Sequence, residues 1–70
     1  MIDYTPFWDT MKRKGITQYY LIQHGVNQRT LDALRKNRNI TLLTLEVLCG
    51  LLQCEASDIV RFIPDDPAAP

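Results

Sequence analysis

GITQYYLIQHGVNQRTLDALRKN, residues 15–37, is the stretch whose reading decides the fold. Thr17 is a hydroxyl cap for a segment of barely two turns, QYYLIQH (18–24), that stops at Gly25. Val26 is apolar, and Asn27 then caps a second helix, QRTLDALRK (28–36). Leu31 and Leu34 fall three apart on one face of it, while Gln28, Arg29, Asp32, Ala33, Arg35 and Lys36 face elsewhere. The stretch therefore reads as two short helices joined through a glycine, the second carrying a polar outer face.

Working outward toward the N-terminus, Thr5-Pro6 predicts a capped helix start with proline at the first helical position. Phe7, Met11 and Trp8 turn inward at helical spacing. Lys12, Arg13 and Lys14 complement the C-terminal end of the helix dipole, and Gly15 stops it. Toward the C-terminus, the loop NRN (37–39) leads to Thr41, which caps the longest helix, LLTLEVLCGLLQ (42–53). Its apolar stripe is Leu42, Leu45, Leu48, Cys49 and Leu52. Off that stripe, Leu43, Val47, Gly50 and Leu51 are either a candidate dimer surface or residues packed under terminal strands. Gly50 costs about 1 kcal/mol relative to alanine in a helix interior, which implies a close neighbour. A last short helix, ASDIVRF (56–62), is expected to bury Ile59 and Phe62. Ile2-Asp3-Tyr4 is expected to pair with Phe62–Pro64 as a two-strand tie between the termini. The domain is then residues 1–64, with 65–70 a disordered polar tail.

Seventy residues make one domain, and a chain this short buries only roughly 60% of the surface its unfolded form exposes. An apolar fraction of 46% is ordinary for a globular protein. No apolar run approaches the roughly 20 residues of a membrane span. The opening MIDYTPFWDT does not read as a secretory signal, so a cytoplasmic location is expected. Cys49 and Cys54 read as buried reduced thiols rather than a disulfide or a metal site, since no histidines stand at ligand spacing. The net charge is zero, but its distribution is not even. Seven of the eight basic residues lie between positions 12 and 38 against one acid, Asp32, a formal +6 there and −6 elsewhere. Such polarity presents a basic face to phosphates, or is only a lopsided solvated surface.

Two short helices joined through a glycine form the helix-turn-helix pattern, whose second helix enters the DNA major groove. In order and spacing, GITQYYLIQHGVNQRTLDALRKN (15–37), NITLLTLEVLCGLLQC (39–54) and SDIVRFIP (57–64) resemble the Cro/CI-type helix-turn-helix DNA-binding domain of small single-domain bacterial and phage regulators. The resemblance implies an all-α, five-helix lambda-repressor-like domain. It matches the family's turn glycine to Gly25, its following apolar residue to Val26, and its buried recognition-helix positions to Leu31 and Leu34. The groove-reading positions match Asn27, Gln28, Arg29, Asp32 and Ala33. One departure is Leu21, which stands where the family usually has alanine because the two helices approach closely there.

The residue types suit the role. Asn27 and Gln28 can match adenine N6 and N7, and Arg29 can fork onto guanine O6 and N7. Asp32 can accept from cytosine N4 or orient Arg29 or Lys36, the latter being favoured, and Ala33 leaves room for a thymine methyl. Phosphate contacts are expected from Thr17 and Gln18 on one side and Arg35, Lys36, Asn37, Arg38 and Asn39 on the other. Tyr19 or Tyr20 can add a phenol, with one of them expected in the core, and His24 reads as a partly exposed packing residue. An ordinary exposed helix face is the plain alternative for all of these. With one histidine, no paired carboxylates on a common face and no phosphate-cradling glycine loop, the pattern points away from an enzyme. Neither a cofactor nor a small-molecule ligand is expected. The expected function is a sequence-specific regulator of transcription, a repressor, acting on double-stranded DNA as a homodimer. The alternative is a protein-interaction module on the same fold, such as an antitoxin or anti-regulator.

Overall fold

A computed structural model describes residues 1–64. The expected polar tail, 65–70, lies outside the described residues. Four α-helices follow one another: α1 (Thr5–Lys14), α2 (Gln18–Gln23), α3 (Gln28–Arg35) and α4 (Leu42–Leu52). A single 3-10 turn (Ala56–Asp58) follows α4. Two short strands, β1 (Ile2–Asp3) and β2 (Arg61–Phe62), join the ends.

Local chemistry sets each helix boundary. The hydroxyls of Thr17 and Thr41 accept from the amides of Tyr20 and Thr44 at 3.2 and 3.0 Å, and Asn27 Oδ1 accepts from Thr30 at 2.8 Å. These are the three caps expected from the sequence. Left-handed residues stop the helices: Gly15 (φ 69) ends α1, and Gly25 (φ 97) makes the turn after α2. The start of α1 differs from expectation. Tyr4 takes the cap position, and the Thr5 hydroxyl donates to Asp3 Oδ1 at 2.7 Å instead of accepting from the helix. The Asp3 carboxylate also accepts from the Thr5 amide, so an acid two residues ahead satisfies the first free amide of the helix.

Tyr4, Phe7, Met11, Leu21, Val26, Leu31, Leu34, Leu48, Leu52 and Ile59 form one buried cluster. Leu31 and Leu34 are fully enclosed, as their spacing on α3 requires. Thr10 is also buried, its hydroxyl donating to the Asp58 carbonyl at 2.7 Å and so tying α1 to the 3-10 turn.

Four expectations are corrected. Residues 56–62 do not form a fifth helix. Only Ala56–Asp58 turn, and the chain then extends through β-branched Val60 into β2, a geometry that the approach to Pro64 also favours. Ile59 is buried as expected, but Phe62 is 78% exposed because it belongs to that strand. Leu42 is exposed as well, since the first turn of α4 overhangs the core. Gly50 has no close neighbour: a Cβ built there meets nothing within 4 Å. Gly50→Ala should therefore stabilise the fold by about 0.5–1 kcal/mol. Urea melts should show a higher midpoint at unchanged slope, and a lower midpoint would reveal a neighbour at that face.

The terminal tie forms in an adjusted register. β1 and β2 are antiparallel with Ile2 opposite Phe62 and Asp3 opposite Arg61. Met1 and Ile63 extend the ladder by exchanging hydrogen bonds at 2.7 and 2.8 Å. Asp3, 6% exposed, also accepts from Arg61 Nε. The Thr5 hydroxyl, then the Arg61 guanidinium, then the Thr5 amide hold its carboxyl below the usual carboxylate value. A pKa depressed by folding contributes stability above the unfolded-state value, and that stability is lost as pH falls through the folded-state value. The melting temperature should consequently drop on acidification below about pH 4. Asp3→Asn should lower it at neutral pH and flatten the acid limb. Thermal melts across the acid range check this, and an acid limb unchanged by the substitution would rule Asp3 out as its source.

Candidate nucleic-acid interface

The turn Gly25-Val26 sets α3 against α2. Gly25 supplies the left-handed step, and the Val26 amide donates back to the Leu21 carbonyl at 3.0 Å. Val26, Leu31 and Leu34 are buried inward, which leaves the opposite face of α3 to solvent. Gln28 and Arg29 are exposed in its first turn, and Asn27 is exposed at its cap. Because Asn27 Oδ1 is occupied by the Thr30 amide, its free polar group is the Nδ2 donor. Ala33 is half-buried beside an open depression of about 200 Å³, lined also by Arg29, Thr30, Asn39 and Thr44.

Asp32 sits one turn along among cations. Its carboxylate lies 3.2 Å from Lys36 Nζ and 3.9 Å from Arg35. All three side chains are about half exposed, so these pairs orient the cations more than they stabilise the fold. Arg35 also donates to Gln18 Oε1 at 3.0 Å, a side-chain link between α2 and α3. Two expected phosphate contacts thus hold each other, a pairing that their separation in sequence does not reveal.

Beyond α3, Asn37 has a left-handed backbone (φ 54), and its Oδ1 accepts from the Tyr4 amide at 3.0 Å. The Arg38 carbonyl accepts from the Tyr4 hydroxyl at 2.6 Å while its side chain stays exposed, and Asn39 is exposed. On the other flank Thr17 caps α2 and is exposed together with Gln18. Both Tyr19 and Tyr20 are exposed, so neither enters the core as expected for one of them. Tyr20 packs on His24 with ring centroids 4.2 Å apart. The cations at the end of α1 are exposed, and Lys14 Nζ donates to the Gln53 carbonyl.

On α4, Leu43 is 69% and Val47 44% exposed. Gly50 is exposed too, whereas Leu51 is half-buried and belongs partly to the interior. The strand tie covers neither Leu43 nor Val47. Leu42, 82% exposed, adds to the apolar face, although its spacing on α4 matches the buried stripe. Among the described residues no helix is long and apolar enough to cross a membrane, and no cluster of three or more His, Cys, Asp or Glu could hold a metal.

Comparison with known proteins agrees with this geometry. A family model described as the Cro/C1-type HTH DNA-binding domain matches residues 7–65. A crystal structure of the transcriptional regulator VanUg is similar at a TM-score of 0.82 and 28% identity, over 91% of this chain and 87% of that one. No curated protein matches the sequence.

Proposed function

Because the chain belongs to the Cro/C1-type helix-turn-helix DNA-binding domain family, we propose that it is a sequence-specific regulator of transcription that places α3 in the major groove and represses by occupying its operator. The observation that carries this reading is the exposed row Asn27, Gln28 and Arg29 at the start of α3, backed by buried Leu31 and Leu34. Arg29, exposed and free of any intramolecular ion pair among the described residues, is the group best placed to fork onto guanine. Asn27 adds a donor through Nδ2, Gln28 a paired donor and acceptor, and Ala33 an apolar contact. Asp32 acts by orienting Lys36 and Arg35. Arg35, Lys36 and Arg38 neutralise phosphates, with Thr17, Gln18, Asn37 and Asn39 giving neutral hydrogen bonds to the backbone.

The likeness to a transcriptional regulator supports the regulatory role. Two copies pairing through Leu43, Val47 and Gly50 would bring two α3 helices to half-sites about 34–36 Å apart, which makes a palindromic operator the expected target.

Titration of a random duplex at two salt concentrations tests the reading. With three cations on phosphate per protomer, affinity should fall by about 40-fold between roughly 50 and 200 mM salt. Arg29→Ala should weaken binding to a selected site by about 1–3 kcal/mol and leave random-duplex binding nearly unchanged. Failure to bind any duplex at low salt would overturn the proposal in favour of a protein-interaction role for the same face.

A further inference from the structure

Cys49 and Cys54, which the DNA-facing role does not use, straddle the C-terminal stop of α4. Gln53 takes the chain through the left-handed region (φ 52, ψ 57). Its amide and that of Cys54 both end on the Cys49 carbonyl, the latter at 3.1 Å. In this kind of stop, the side chain just past the left-handed residue meets the side chain whose carbonyl takes its amide bond. That contact is ordinarily apolar; here both partners are thiols. The backbone bond also brings the two Cα atoms into the range a disulfide spans. Both residues are free and half-buried against the core, so a small reagent can reach them from solvent.

The two thiols lie close enough to influence each other's titration. Burial pushes both up. Glu55 and Asp58 add to the effect at Cys49 and Asp58 adds at Cys54, where Lys14 opposes it. The resting pair is therefore a protonated dithiol that exchanges slowly.

We propose that Cys49 and Cys54 are a redox modification site, closing to an intramolecular disulfide by exchange with a small-molecule disulfide such as oxidised glutathione. The Cys49 thiolate attacks one reagent sulfur, expels a glutathione thiolate and leaves a mixed disulfide on Cys49. Cys54 gives up its proton, attacks the Cys49 sulfur and expels the second glutathione thiolate. The chain loses two electrons and two protons, and the reagent gains them as two thiols. The bond pins the end of α4 to the segment entering the 3-10 turn.

The full chain is equilibrated in glutathione redox buffers, folded and in denaturant, then quenched by alkylation and weighed by mass spectrometry. The folded chain should become two hydrogens lighter without adduct or covalent dimer. Its closure constant should exceed that of the denatured chain by about tenfold or more, because a fold that holds the thiols together is linked to their bond. Cys49→Ser and Cys54→Ser should each stop at a single glutathione adduct. A closure constant no higher in the folded chain than in denaturant, or wild-type protein that accumulates mixed disulfides or dimers instead, would overturn the site.

Discussion

Phe7→Ala is expected to remove about half of the protein's folding free energy. The ring is fully enclosed in the first turn of α1 and stands nearly perpendicular to the Trp8 ring with centroids 4.8 Å apart. The Phe7 amide is shared between the carbonyls of Tyr4 and Ile59, so the residue stands where α1 meets the chain returning from the 3-10 turn. Truncating a buried phenylalanine costs about 3–5 kcal/mol, through lost transfer energy and the cavity left behind. A domain of this length has only about 4–10 kcal/mol in total. Circular dichroism with urea titration should show the loss directly, and Phe7→Leu should recover most of it. A destabilisation below about 1 kcal/mol would mean that the neighbours collapse into the space.

Leu21→Ala should cost about 2–5 kcal/mol, and it separates two accounts of the helix pair. Related domains usually carry alanine at this position because α2 and α3 approach closely. If this chain kept that approach, leucine would be overpacked and alanine would relieve it. Leu21 is instead fully enclosed in the same cluster as Val26 and Leu31, and its carbonyl accepts from the Val26 amide. The side chain fills space that alanine would leave empty. Denaturant midpoints give the sign. An increase in stability would show that the leucine strains the pair, and Leu21→Met, which conserves volume, should stay within about 1.5 kcal/mol of wild type.

The parts legible in the sequence were those governed by neighbouring residues. Thr17, Asn27 and Thr41 cap their helices because a short side-chain oxygen can reach an amide three residues on, and no distant contact changes that. Gly15 and Gly25 take the left-handed backbone for similarly local reasons. The misreadings came where a distant partner decides. Asp3 is tied to Arg61 near the opposite end of the chain. Phe62 looks like a core residue until β2 claims it, and Leu42 fits the apolar periodicity of α4 but lies past the edge of what α4 packs on. At the interface, the exposed row on α3 followed from Leu31 and Leu34 pointing inward. The Gln18–Arg35 link and the Asn37–Tyr4 bond did not, because they join residues 17 and 33 positions apart.

The strand tie has a kinetic consequence. Its rungs join positions 2 with 62 and 3 with 61, so forming it closes nearly the whole described chain into a loop. The helices close contacts over a few residues within microseconds, whereas two rungs cannot offset that loop-closure entropy until the core has assembled. The tie is thus a late event in folding and an early one in opening. A chain that loses it first exposes Asp3 to solvent while Leu31 and Leu34 still hold α3 in place, so fraying at the ends leaves α3 formed.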